Sequence, residues 1–352
     1  MVLKTQVVQE HREYPGIDLF RIIAVVLVVM NHTYPLADIS ESTDFIFTRI
    51  IARIAVPFFF MVSGYFVLSS VSGKNKNYKA VFKSVIKLIR LYSIAILIYS
   101  PIYIYSGYIS GNKGILECIK DLLFNGTFYH LWYLPAAIIG ILLVSALLKK
   151  LSMLQVFIIT ILLYVIGLFG DSYYGVAQQI PIVKGLYNYI FMFFDYTRNG
   201  MFFAPLFLTL GAMISRQKLK ANKEIMVYGF IGSLLLMILE GLLLNKFQVQ
   251  RHSSMYILLL PVMYFLFQWI LLWKTKNYKR FRNISMIIYI IHPLMIILVR
   301  AGAKILNLQN ILVDNNLIHF IVVLIASFGI AFVVEFVLNK IKNIQGNCQV
   351  EC

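Results

Sequence analysis

Charge is what this 352-residue chain has little of. Only 13% of its residues are Asp, Glu, Lys or Arg, against 60% hydrophobic, and the mean hydropathy is +0.79. A soluble domain keeps roughly a quarter of its residues charged, so a soluble class is excluded and the lipid bilayer is the expected surroundings. Acid is scarcer than base: 15 Asp and Glu stand against 32 Lys and Arg, a net charge of +17. In a membrane protein such an excess belongs to cytoplasmic loops, so no nucleic-acid partner is expected. Cysteine is nearly missing too, and Cys118, Cys348 and Cys352 form no CxxC pair, metal spacing or disulfide framework. The chain has no Walker A loop, dinucleotide GxGxxG, GxSxG elbow or HExxH. No metal is expected.

Long apolar runs are abundant. Crossing the hydrocarbon core takes roughly 20 helical residues, and ten runs qualify, at 17–38, 50–70, 84–106, 128–148, 152–170, 199–215, 224–244, 253–273, 283–301 and 316–338. The fold class is therefore all-α: a polytopic integral membrane protein of about ten transmembrane helices. The first run carries Arg21 and His32 and lacks a small-residue cleavage site, so it reads as a retained helix. With ten spans, one set of alternate loops and tails holds 21 Lys and Arg and the other holds eight. That bias puts both termini in the cytoplasm of a multi-pass plasma-membrane protein. The expected layout is a cytoplasmic tail over 1–16, one transmembrane domain over 17–338 and a cytoplasmic tail over 339–352. Two segments look like more than connectors. Ile115, Leu116, Ile119, Leu122 and Leu123 recur at helical spacing, as in a short helix lying in the interface. Residues 171–198 make a stretch long enough for a lid or binding loop.

Charge within spans costs about 2.5–3.5 kcal/mol per residue on insertion scales and marks functional sites by default. Arg21 and His32 lie eleven residues apart, a rotation returning to within about 20° of one direction, and Asp18 is close to the same stripe. This line is about 21 Å long. His32 reads as a general base, because imidazole titrates near neutral pH, and Arg21 as a phosphate or carboxylate binder; helix packing and a snorkelling Arg21 are the alternative. In the second span Arg53 precedes VPFFFMVSGYFVL (56–68), where Ser63 offers a hydroxyl. His130 and Trp132 in FYHLWYLP (128–135) sit at an outer interface, with an aromatic belt as the rival reading for Trp132. Asp195, Arg198 and Asn199 form the densest polar cluster. Asp195 and Arg198 could pair with each other or divide the charges of a zwitterionic amino acid. Glu240 is expected to find a partner in Arg53 or Arg251, Asp171 and Ser172 read as loop or capping residues, and His292 before Pro293 reads as packing.

Taken in order, Arg21 and His32, FFFMVSGYF (58–66), HLWYLP (130–135), Arg198 with Phe202 and Phe203, and YIIHP (289–293) resemble the acyltransferase-3 family of membrane proteins. GIDLFR (16–21), YHLWYLPA (129–136), GDSYYG (170–175), TRNGMFFAPLFLTLG (197–211) and SSMYILLLP (253–261) are similar to the membrane half of the membrane-bound serine racemases of vancomycin-resistance clusters. The wider resemblance implies acyl transfer from cytoplasmic acyl-CoA to an outward-facing hydroxyl, with Asp18, Arg21 and His32 catalytic. The narrower one implies L-serine uptake feeding D-serine synthesis for peptidoglycan ending in D-Ala-D-Ser. Arg53, Ser63, His130, Trp132, Asp195, Arg198, Asn199 and Glu240 would then bind substrate. Pyridoxal phosphate would sit on a separate racemase domain or a cytoplasmic racemase chain, since no racemase fold or Schiff-base lysine segment is visible here. A membrane anchor for such a racemase and a homo-oligomer stay open as further expectations.

Overall fold

The structure, a computed structural model, describes residues 14–71, 77–106, 114–216, 222–276 and 278–348, with side chains as far as residue 341. The N-terminal tail up to residue 13, and with it Lys4 and Arg12 of the basic tally, lies outside the described residues, as do Lys74, Lys76, Lys113, Lys218 and Lys220, whereas residues 339–348 of the expected C-terminal tail are helical.

Ten helices correspond to the ten apolar runs: α1 (Pro15–Thr33), α2 (Glu41–Ser70), α3 (Tyr78–Tyr105), α4 (Tyr133–Lys150), α5 (Met153–Phe169), α6 (Ala204–Arg216), α7 (Lys223–Lys246), α8 (Leu259–Leu271), α9 (Arg280–Ile305) and α10 (Asn316–Cys348). Six of them, α1, α2, α4, α7, α9 and α10, are long and apolar enough to cross a membrane, while α5, α6 and α8 are shorter apolar helices. The molecule is a multi-pass helical membrane protein. The remaining helix, α3, has Lys79, Lys83, Lys87 and Arg90 on its first four turns.

Several boundaries differ from expectation for local reasons. α1 stops at Thr33, five residues early, because Tyr34 turns left-handed (φ 50°) ahead of Pro35. α2 is wound as a π-helix over Phe45–Ile50 and a 3-10 turn over Ile51–Ile54 before settling into α-helix at Ala55. Pro57 contributes to that: it has no N–H to close on the carbonyl four residues back. α6 begins at Ala204 instead of 199 because Asn199 turns its side chain to the N–H groups of Met201 (2.8 Å) and Phe202 (3.1 Å). The stretch 171–198 is not a loop throughout; it contains helices Tyr174–Gln178 and Pro181–Phe193. The interfacial segment is a helix over Ile115–Lys120 running on to Asn125, and its five apolar residues are all exposed as expected.

Two hydrophobic clusters make the interior. One gathers α2, α4, α5, α6, α7 and α8 with the start of α3; the other gathers the rest of α3, α9 and α10. Helix α1 serves both, giving Ile17, Phe20, Ala24 and Val28 to the first and Val25 and Val29 to the second. At 100° per residue these two sets flank the direction of Arg21 and His32, so the polar stripe of α1 runs along the seam between the clusters. At the centre α6 crosses α2 closely enough that Gly64 lies against the carbonyl of Leu208 and Gly211 against that of Met61. Small residues permit such backbone approach in membrane helices.

Candidate functional site

Two cavities open into the seam, one towards each end of α1. The first, about 180 Å³, is lined by His32, Arg53, His130, Trp132 and Arg198 together with the tyrosines Tyr129, Tyr133 and Tyr289. The second, about 260 Å³, lies towards the start of α1 and includes Arg21, Ser63, Lys87 and Arg282, again with Tyr133 and Tyr289. The two tyrosines are therefore common walls. Their rings meet edge to face with centroids 5.5 Å apart, and Tyr289 donates from its hydroxyl to the His130 carbonyl at 2.8 Å.

Three imidazoles meet at the first cavity. His32 from α1 stacks on His292 from α9 at 5.3 Å, and His130, just ahead of α4, stands edge-on to His292 at 5.2 Å. Tyr129 covers the other side of His32 at 5.0 Å. The tautomer of His292 follows from Pro293. A proline at 293 takes the helical donor away from the Tyr289 carbonyl, and His292 Nδ1 lies 2.9 Å from that oxygen and 3.1 Å from the Ile288 carbonyl. Carbonyls only accept, so Nδ1 carries the proton and Nε2 keeps its lone pair; that atom is buried without a partner. His32 makes no hydrogen bond among the described residues, and neither nitrogen of the buried His130 ring closes a bond of good geometry. The trio lies outside any arrangement able to hold a metal ion among the described residues.

At the other end of the stripe, Asp18 is a hub. Its two oxygens accept from Arg282 Nε and Nη2, both at 2.8 Å, and Arg21 Nε stands 3.6 Å from Oδ1. Asp18 is 1% exposed. It positions Arg21 and Arg282 at the second cavity and does not itself line it. Ser63 lines that cavity, its hydroxyl bonded to the Phe59 carbonyl at 3.0 Å.

Three binding residues expected from sequence do other things. Asp195 is exposed and accepts from Asn125, and it makes no ion pair with Arg198 among the described residues. Arg198 instead donates to Ser254 Oγ at 3.4 Å and lies over the rings of Tyr196 and Trp132. Three residues of spacing did not join the pair because residues 195–200 lack helical geometry. Asn199 caps α6, as described above. Glu240 meets neither Arg53 nor Arg251; it accepts from Tyr173 Oη (2.7 Å) and the N–H groups of Ile257 (2.6 Å) and Leu258 (3.0 Å), anchoring the entry to α8. Asp171 does the same for the preceding residues, accepting from Ser254 and Met255 N–H at 2.7 and 3.1 Å. Burial holds its carboxyl up at about 6 against those hydrogen bonds.

Sequence reasoning missed His292, Tyr133, Tyr289 and Arg49. The Pro after His292 was the available signal for the first, since a freed carbonyl invites a side-chain donor. Nothing in sequence marks the tyrosines, because an aromatic belt has the same composition.

A helical membrane protein with two polar cavities that share Tyr133 and Tyr289 as a wall, and a histidine cluster at the first of them, is the class defined by this geometry. The chain belongs to the acyltransferase-3 family, whose acyltransferase domain matches residues 14–336. It is 42% identical over 336 residues to an amino-acid racemase of Enterococcus faecalis, covering 95% of this chain and 46% of that protein. It is also 39% identical over 328 residues to a serine/alanine racemase of Enterococcus gallinarum, covering 92% of this chain and 46% of that one. The chain thus spans about half the length of the curated relatives it matches. No solved structure matches it.

Proposed function

We propose that the chain is the membrane component of a serine racemase system, binding L-serine at the first cavity and releasing it to the second, in the cytoplasm, where a racemase makes D-serine for peptidoglycan precursors. The observation that carries this reading is the pair of opposed cavities sharing one wall, Tyr133 and Tyr289. A transported solute needs an access route from each side and a barrier between them. Arg53 and Arg198 supply guanidinium for the amino-acid carboxylate, the rings of Tyr129 and Trp132 supply π faces for the ammonium, and the imidazoles accept from the hydroxyl. The racemase that holds pyridoxal phosphate is a separate domain or chain in this reading, and the termini are cytoplasmic.

Vesicles containing the purified chain are expected to take up radiolabelled L-serine above empty vesicles. Arg198→Ala is expected to cut initial uptake roughly tenfold, the worth of a lost charge-assisted hydrogen bond. Uptake equal to that of empty vesicles ends the proposal.

A specific observation favours acyl transfer as the second reading: His32 faces the first cavity unpaired while Arg21 faces the second. Here His32 would take the proton of an acceptor hydroxyl as its oxygen attacks the thioester of acyl-CoA, and the coenzyme thiol would leave. Thiol release from acetyl-CoA by the purified chain is then expected to fall roughly 100-fold or more in His32→Ala. Release that survives the substitution rules this reading out.

A further inference from the structure

The mouth of the first cavity holds four guanidiniums and no carboxylate. Arg49, Arg53, Arg198 and Arg251 line it with His252, Ser253 and Ser254, and three of the four continue into the cavity below. Arg49 and Arg53 are one helical turn apart on α2, a like-charge spacing that destabilises a helix on its own. Arg53 donates Nε to the Arg49 carbonyl at 3.3 Å, Arg49 gives Nη2 to Tyr34 Oη at 2.9 Å, and Arg251 lies over the Phe191 ring at 3.6 Å. Among the described residues none of the four forms an ion pair. The nearest carboxylates bond elsewhere: Asp171 and Glu240 to backbone N–H groups, Asp195 to Asn125, and Asp44 to Leu36 N–H and Thr48 Oγ1; Asp171 attracts Arg198 and Arg53 without reaching ion-pair distance, and its single charge leaves the four guanidiniums in excess. His252 adds no fifth positive charge, since burial, and after it the surrounding arginines, hold its imidazole down at about 4.

Four cations converging on one partly buried mouth repel one another, and the repulsion grows as water is excluded. One amino-acid carboxylate neutralises a single positive charge. We infer that the mouth is a binding site for a multiply charged oxyanion of the phosphate class, adjoining the serine site beneath it and sharing Arg198 with it, with Arg49, Arg198 and Arg251 as its principal donors. Planar guanidiniums with hydroxyls between them match the several acceptor oxygens of a phosphate or diphosphate. The ligand is either a free anion or the phosphate of a lipid headgroup, since the mouth borders the exposed apolar face of helix Pro181–Phe193 through the Arg251 and Phe191 contact.

The test uses the full chain in neutral detergent and reads thermal unfolding without serine, so its failure is separable from failure of the uptake proposal. At constant ionic strength, diphosphate and inorganic phosphate are titrated against chloride. In a parallel arm, micelles doped with phosphatidylglycerol are compared with micelles doped with phosphatidylcholine. A saturable upward shift of roughly 2–4 °C is expected, with the half-saturating concentration raised roughly tenfold or more in Arg198→Gln and in the exposed Arg251→Gln, and unchanged in Arg90→Gln on α3. A shift with soluble anions assigns the site to a free anion; a shift with phosphatidylglycerol alone assigns it to a headgroup. No shift in either arm, or one that both mouth variants retain in full, overturns the proposal.

Discussion

Gly211→Val and Gly64→Val are each expected to leave little folded protein, read as loss of the monodisperse peak in size-exclusion chromatography of the detergent-extracted chain. A Cβ added at Gly211 overlaps the Met61 carbonyl, and one added at Gly64 overlaps the Leu208 carbonyl. These are backbone atoms of the facing helix, so no side chain can rotate away. Relief requires α2 and α6 to separate, and α6 is buried almost all round, with Ala204 through Ala212 in the core. Overpacking typically costs 1–3 kcal/mol; parting two core helices puts the expected cost at about 3 kcal/mol or more. Gly232→Ala in α7 is the control, because nothing lies within 4 Å of a Cβ there. It is expected to be neutral or to stabilise by about 0.5–1 kcal/mol. A well-behaved Gly211→Val protein would refute the packing of α6 on α2.

Asp18→Ala is expected to destabilise the chain by about 3 kcal/mol, seen as a fall in thermal midpoint. Breaking a buried ion pair from one side costs roughly 3–5 kcal/mol because a charge is left uncompensated. The lower end applies because the Arg282 side chain is 46% exposed and can return to water, whereas that of Arg21 is 18% exposed and cannot. Arg282→Gln is therefore expected to cost less than Asp18→Ala, since Asp18 keeps Arg21. Equal costs for the two would mean that Arg21 draws nothing from Asp18.

Much of the site was legible in the sequence because intramembrane charge has so few explanations. Arg21, Arg53, Ser63, His32, His130, Trp132 and Arg198 all line the two cavities. The residues read differently by the structure are those whose roles depend on contacts distant along the chain. Glu240 is tied to Ile257 and Leu258 across a turn, and Asp18 to Arg282 across 264 residues. Asp195 failed as a partner for Arg198 because helical spacing was assumed where the chain is irregular. The ten helices were legible for a simpler reason: apolar runs of that length have no other stable state in a bilayer.

By itself the sequence determined the solvent, the helix count and the polar stripe of α1, because each follows from local composition and the fixed rotation per helical residue. The tertiary structure decided which of the scarce charges are spent on backbone donors and which gather at a cavity mouth without an ion pair. It also decided that His292 joins His32 and that Tyr133 and Tyr289 divide the seam. Those outcomes depend on which helices cross and how closely, and that crossing is set by glycines facing carbonyls about 150 residues away in the chain.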